Sequence, residues 1–249
     1  MDNDLKNGKL QLGYILPNLF TAASAFLGVA SIVAASKGEF GKAAVYILLS
    51  LIFDGLDGRV ARLTNTTSKF GMEFDSLADV IAFGAAPAMF FYFSVGQYYG
   101  RVGVLFAAIY VVFGAIRLAR FNIMSSSNEP SMFIGLPIPT AAVLVVTWGL
   151  MFRDYADIFG DFKEALIVLQ ALASVLMVSN VRYPSFKKID LKKANVLKVL
   201  TFLTVVFSVI YLYQVISITV LVSGYVLYGI IRLAYNFTVA KIKKNKYNN

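Results

Sequence analysis

DGLDGRVARLTNTTSKFGMEFDSLAD, residues Asp54 to Asp79, lies between two hydrophobic segments. Its aspartates, Asp54, Asp57, Asp75 and Asp79, fall in sequence that otherwise reads as membrane helix and its edge. A carboxylate inside a bilayer costs roughly 3 kcal/mol or more unless something neutralises it. The spacing carries geometry. Asp54 and Asp57 are i and i+3, and Asp75 and Asp79 are i and i+4, so each pair shares a helix face. Two helices that each present two carboxylates can build one oxygen-lined pocket. Four negative charges match two divalent cations such as Mg²⁺ or Mn²⁺, which take oxygen ligands. Helix caps or solvated loop charges would explain one or two of these aspartates, but not the pairing on both sides of the turn.

The pattern D-x-x-D-G-x-x-A-R, eight further residues, then G-x-x-x-D-x-x-x-D is filled by Asp54, Asp57, Gly58, Ala61, Arg62, Gly71, Asp75 and Asp79. It resembles the signature of the CDP-alcohol phosphotransferases, with every fixed position matched. The resemblance implies a reaction at a cytoplasmic membrane surface. A CDP-linked lipid binds with its acyl chains in the bilayer, a small alcohol attacks the β-phosphorus, and CMP leaves. It further implies that Asp54, Asp57 and Asp75 ligate metal. Asp79 both touches a metal and accepts the proton of the attacking hydroxyl. The sequence by itself leaves a covalent aspartyl intermediate open; the family implies direct transfer and, commonly, a homodimer.

Composition agrees with a membrane chain. Of 249 residues, 58% are hydrophobic, and the mean hydropathy is +0.70, which excludes an ordinary soluble domain. There is no cysteine, hence no disulfide framework, and no histidine. A general base must be a carboxylate, lysine, tyrosine or water. The net charge of +9 points to anionic membrane lipid rather than nucleic acid.

The expected fold is an all-α transmembrane bundle of about eight spans, near 15–36, 42–62, 74–95, 101–121, 133–152, 163–180, 196–216 and 217–239. A tight hairpin near Gln214 to Ser217 separates the last two. The first segment is read as a retained membrane helix, because its apolar run exceeds a signal-peptide core. With the N-terminus in the cytoplasm, 18 of the 23 Lys and Arg fall on the cytoplasmic side. That bias places both termini and the aspartate motif inside, in the cytoplasmic (inner) membrane. The domain reading is a six-span core over 1–180, a basic interfacial linker over 181–195, two spans over 196–240 and a basic tail over 241–249.

Other residues extend the site. Gly58 and Ala61 fit a surface against which a nucleotide can lie; helix packing is the competing use of small residues. Gly71 completes the motif beside them. Arg62 can pair with phosphate oxygens or snorkel to headgroups. Asn18 and Thr21, one turn apart in the first span, can touch the nucleotide phosphates or simply cap and pack.

Arg117 to Asn122 reads RLARFN, and Phe133 to Ala141 reads FIGLPIPTA. With Ile15-Leu16-Pro17-Asn18, these stretches look like the bacterial integral-membrane phosphatidylserine synthases within that family, over most of residues 14–190. This implies CDP-diacylglycerol and L-serine as substrates. Arg117 and Arg120, at i and i+3, can hold the serine carboxylate in fork geometry, and Asn122 can meet its amino or carboxyl group. The alternative for both arginines is plain positive-inside charge. Glycerol 3-phosphate is the rival acceptor. A cation transporter is the rival of another class, and it requires carboxylates near the midplane with access from both faces.

Overall fold

The computed structural model describes residues 12–64, 66–125, 132–159, 164–184 and 196–247. The chain forms two compact units, Met1–Ala115 and Ile116–Asn249. Almost all of it is helical, and four helical stretches are long and apolar enough to cross a membrane: Ile15–Ser36, Lys69–Ser94, Arg101–Met124 and Thr204–Asn236. The architecture therefore fits a membrane protein.

In the first unit, α1 (Leu12–Ser36) and α2 (Phe40–Leu63) are joined by three residues, one of them Gly38 at φ 77°. So short a link makes the helices antiparallel neighbours. Small polar residues stitch them: the Ser31 hydroxyl donates to the Ala43 carbonyl at 2.9 Å. Ser24 and Ser50 exchange hydroxyl-to-carbonyl bonds at 3.3 and 3.0 Å. Phe20 stacks on Phe53. The partners ascend α1 as they descend α2, which fixes the register and leaves Thr21 opposite Asp57. With no hydrophobic drive between helices in lipid, such contacts hold them together. The last ten residues of α2 hold Asp54, Asp57, Arg59 and Arg62, so α2 is too charged to stand among the apolar spans.

The third predicted span is one continuous run with a change of pitch. It comprises α3 (Lys69–Asp79), a π-helical turn (Val80–Ala85) and α4 (Ala86–Ser94). Pro87 explains the turn. It has no N–H for the carbonyl of Phe83, and its ring crowds that carbonyl. The ladder widens just before it, so that Ala86 N–H donates to Ile81, five residues back. α1 touches this turn through Gly28: a β-carbon there would stand 2.7 Å from the Ala82 Cα. A short 3₁₀ turn (Gly96–Tyr99) then leads to α5 (Arg101–Ser125).

In the second unit, α6 (Ile138–Asp154) is buried on nearly every side and packs on α8 (Glu164–Val178) and α9 (Val196–Tyr247). The indole of Trp148 donates to the Ser223 hydroxyl at 3.0 Å, tying α6 to α9. α7 (Ala156–Phe159) is a single turn.

One departure from the expected all-α pattern occurs here. Residues 133 and 134, predicted to open the fifth span, lie in β1 (Met132–Ile134), paired antiparallel with β2 (Arg182–Pro184). The helix begins only at Ile138. Leu136 precedes Pro137 and is pushed toward extended backbone, while Pro139 sits in the first turn, where its missing N–H costs nothing. Gly135 links strand to helix at φ 78°. A β-carbon there would strike the Met177 carbonyl and the Arg120 guanidinium.

The tight hairpin expected near Gln214 to Ser217 falls at a kink within α9, and a single apolar helical stretch, Thr204–Asn236, runs through it. Gln214 has φ 36° and ψ −108°, the only positive φ outside glycine among the described residues. Of the basic linker, 185–195 lie outside the described residues, as do 248 and 249 of the tail.

The Arg120 guanidinium fastens this unit. It donates to the carbonyls of Val178 (3.0 Å), Ser179 (3.1 Å), Met177 (3.4 Å) and Ile134 (3.0 Å). Three of these oxygens belong to the C-terminal end of α8 and the residue after it, where the helix leaves carbonyls unpaired and carries partial negative charge. Arg120→Ala is expected to lower stability by about 2–4 kcal/mol, since each bond to a charged group contributes roughly 1.5–3 kcal/mol. The denaturation midpoint in detergent reads this directly; an unchanged midpoint would remove the fastening role.

Candidate active site

α2 and α3 deliver the carboxylates. Asp54, Asp57 and Asp75 each offer an oxygen within 4.8 Å of the other two. Two ligand oxygens facing each other across one Mg²⁺ lie about 4.2 Å apart, so the three side chains need little adjustment to share an ion. Asp79 closes α3, one turn beyond Asp75, and is outside this trio. Three close carboxylates repel unless cations stand among them, and the oxygen donor set suits a hard divalent metal.

Asp57 is the deepest of the three, at 5% exposure, and the chain holds it from two sides. The Thr21 hydroxyl donates to one carboxylate oxygen at 2.7 Å, and the Gly58 N–H donates to the other. Thr21 also lies 3.2 Å from the Pro17 carbonyl. Its single proton goes to the carboxylate, the shorter and charge-assisted partner. Thr21, expected to touch the nucleotide phosphates or to cap and pack, orients a carboxylate at the edge of the site.

Beside Asp57 and Asp75 opens a cavity of about 270 Å³. Asn18, Thr21, Gly58, Ala61, Arg62 and Gly71 all line it, so the structure brings together every residue expected to face the nucleotide. Arg62 reaches back along α2: a β-carbon on Gly58 would lie 3.5 Å from its guanidinium. Gly71 keeps the other wall thin, because its β-carbon would meet the Ser68 hydroxyl at 3.2 Å and Asn18 at 3.5 Å.

Thr66, Thr67, Ser68 and Met72 complete the lining with Pro17, and sequence reasoning had not assigned them. Their signal is the polar run before α3. Ser68 is the N-cap, its hydroxyl accepting the Gly71 N–H at 2.9 Å, as a serine before a periodic apolar segment implies. The start of α3 thereby borders the cavity with its positive dipole end, which favours an anionic ligand.

Arg117, Arg120 and Asn122 belong to the second unit. The Arg120 fork, expected to grip a carboxylate, is spent on backbone carbonyls. Arg117 is buried at 5% exposure, its guanidinium 5.3 Å from the centre of the Phe121 ring. Asn122 is half-buried one residue further on.

The sequence pattern of the CDP-alcohol phosphatidyltransferase family matches residues 14–176. The chain is 50% identical over 233 residues to a CDP-diacylglycerol–serine O-phosphatidyltransferase of Helicobacter pylori, covering 94% of this chain and 97% of that one. It is 36% identical over 171 residues to an archaetidylserine synthase of Methanothermobacter thermautotrophicus, covering 68% and 69%. A CDP-diacylglycerol–serine O-phosphatidyltransferase of Bacillus subtilis is 33% identical over 174 residues, covering 70% and 92%. The family pattern takes in α1, α2, α3 and every residue of the carboxylate trio and its cavity, and this chain is a member of the CDP-alcohol phosphatidyltransferase family.

Proposed function

We propose that this protein transfers the phosphatidyl group of CDP-diacylglycerol to the hydroxyl of L-serine, giving phosphatidylserine and CMP. One observation carries the reading: the six residues expected at the nucleotide line a single cavity with Asp57 and Asp75. The relatives support the acceptor, since the names of all three specify serine or archaetidylserine.

The cavity receives the cytidine and the pyrophosphate. Gly58 and Ala61 leave room along α2, Arg62 and the start of α3 offer positive charge to phosphate oxygens, and Asn18 supplies an amide. Asp54, Asp57, Asp75 and Asp79 are the residues that would hold two Mg²⁺ or Mn²⁺ ions. Divalent cations bound there screen the pyrophosphate and stabilise charge developing at phosphorus. Thr21 and the Gly58 N–H keep Asp57 aimed. Asp79, outside the trio on the last turn of α3, is assigned the proton. The serine hydroxyl oxygen bonds to the β-phosphorus, the bond to the CMP oxygen breaks with its electron pair, and the hydroxyl proton passes to the Asp79 carboxylate.

On the acceptor side, Arg117 and Asn122 are assigned the serine carboxylate and amino group, and Arg120 holds the backbone around them. The reading includes eight spans, with Gln214 at the last turn. It places both termini and the active site on the cytoplasmic side of the inner membrane, with basic ends against anionic lipid, and the protein acts as a homodimer.

CMP release from CDP-diacylglycerol by purified protein is expected to require both serine and Mg²⁺ or Mn²⁺, and to stop with chelator. Release with glycerol 3-phosphate or inositol but not serine would overturn the acceptor. Asp79→Asn is expected to lower turnover by about 10²–10⁴, the range for a lost proton acceptor, while the folded protein still binds metal; wild-type turnover would exclude Asp79 as the base. Thr21→Val is expected to raise the metal concentration for half-maximal activity roughly 10–100-fold, as loss of an outer hydrogen bond does elsewhere. An unchanged metal titration would count against the orienting role.

A further inference from the structure

The second half of α9 lies beyond the residues matched by the family pattern, which ends at 176, yet it is built into the β-ribbon. Phe133 and Tyr183 are cross-strand partners, so both side chains leave the same face of the ribbon. Tyr183 is fully buried and stacks on Tyr225 of α9, ring centres 5.3 Å apart at 26°. The Tyr225 hydroxyl donates to the Pro184 carbonyl at 3.1 Å. One turn on, Gly229 lies directly against the Tyr183 ring; a β-carbon there would collide with it.

From the other strand, Phe133 meets Phe121 with ring centres 6.2 Å apart. The Arg117 guanidinium stands over that same Phe121 ring. Arg117 also lies near enough to act electrostatically on the Tyr225 phenol. The contacts form a chain: Arg117 to Phe121, Phe121 to Phe133, Phe133 across the ribbon to Tyr183, and Tyr183 to Tyr225. A long side chain carries several freely rotating bonds, and a buried guanidinium must be held to present one fixed direction.

We propose that Tyr225 is a positioning residue for Arg117, so that the second half of α9 is part of serine recognition as well as a membrane span. This rests on the reading that Arg117 meets the serine carboxylate. Gly229 is the space that lets Tyr183 and Tyr225 stack.

The test uses the full chain in detergent, with KM for serine, KM for CDP-diacylglycerol and kcat measured for Tyr225→Phe, Gly229→Ala and Arg117→Lys. Tyr225→Phe keeps the ring and removes the hydroxyl. It is expected to raise the serine KM roughly threefold to tenfold, the effect of one hydrogen bond. KM for CDP-diacylglycerol and kcat should stay within about twofold, the pattern of lost binding to one substrate. Gly229→Ala, which displaces Tyr183, is expected to shift the serine KM the same way. If both KM values move together, or neither moves, in Tyr225→Phe and Gly229→Ala, the proposal is overturned. Arg117→Lys separates the two layers. If it leaves the serine KM unchanged, the assignment of Arg117 falls and takes this proposal with it. If it raises the serine KM while Tyr225→Phe does not, the role of Tyr225 alone is lost.

Discussion

Clustered negative charge in a greasy chain is the constraint on which the first unit depends. Three aspartate side chains within 4.8 Å of one another repel, and an apolar surround makes that repulsion costlier. The chain answers with short, directed contacts. Thr21 and the Gly58 N–H brace Asp57, Arg62 folds back over Gly58, and the start of α3 faces the same space. Each of these depends on α1 and α2 lying in one fixed register, which the serine-to-carbonyl bonds of their interface set. Packing and chemistry are thus the same problem: a one-turn slip of α1 would leave Asp57 without its threonine.

The arrangement also divides labour among residues of one type. Asp57 is buried and doubly held, suited to keep one orientation. Asp79 lies outside the trio, at the end of α3 where the helix widens. Carboxylates of one motif, on two neighbouring helices, can therefore differ in character because their surroundings differ.

Much of this was legible in the sequence. The i+3 and i+4 spacing of the aspartates is a statement about helix faces, and local geometry carries it into three dimensions. Asn18, in another span, joined them because short loops leave few ways to arrange neighbouring helices. The start of the fifth span was missed because Phe133-Ile134 is apolar, and hydropathy cannot tell a buried strand from a helix; the following prolines held the better clue. Arg120 illustrates a different limit. Its fork fits a carboxylate and a row of carbonyl oxygens equally well, and only the fold shows that the end of α8 lies within its reach. The π turn was likewise hidden: Pro87 signals a disturbance of the ladder, but not whether the helix kinks, ends or widens.

That widened turn sits immediately after Asp79. A π turn holds one residue more than the regular helix around it, so everything on its far side is rotated by about 100° relative to an unbroken α-helix. The two ends of the span can then obey separate demands: α3 aims its carboxylates, while α4 buries Phe90 and Phe91 completely. Removing one residue between Val80 and Ala85 would give a more regular helix and turn one half relative to the other. The irregularity sets the acidic half and the apolar half at an angular offset that a regular helix would not give.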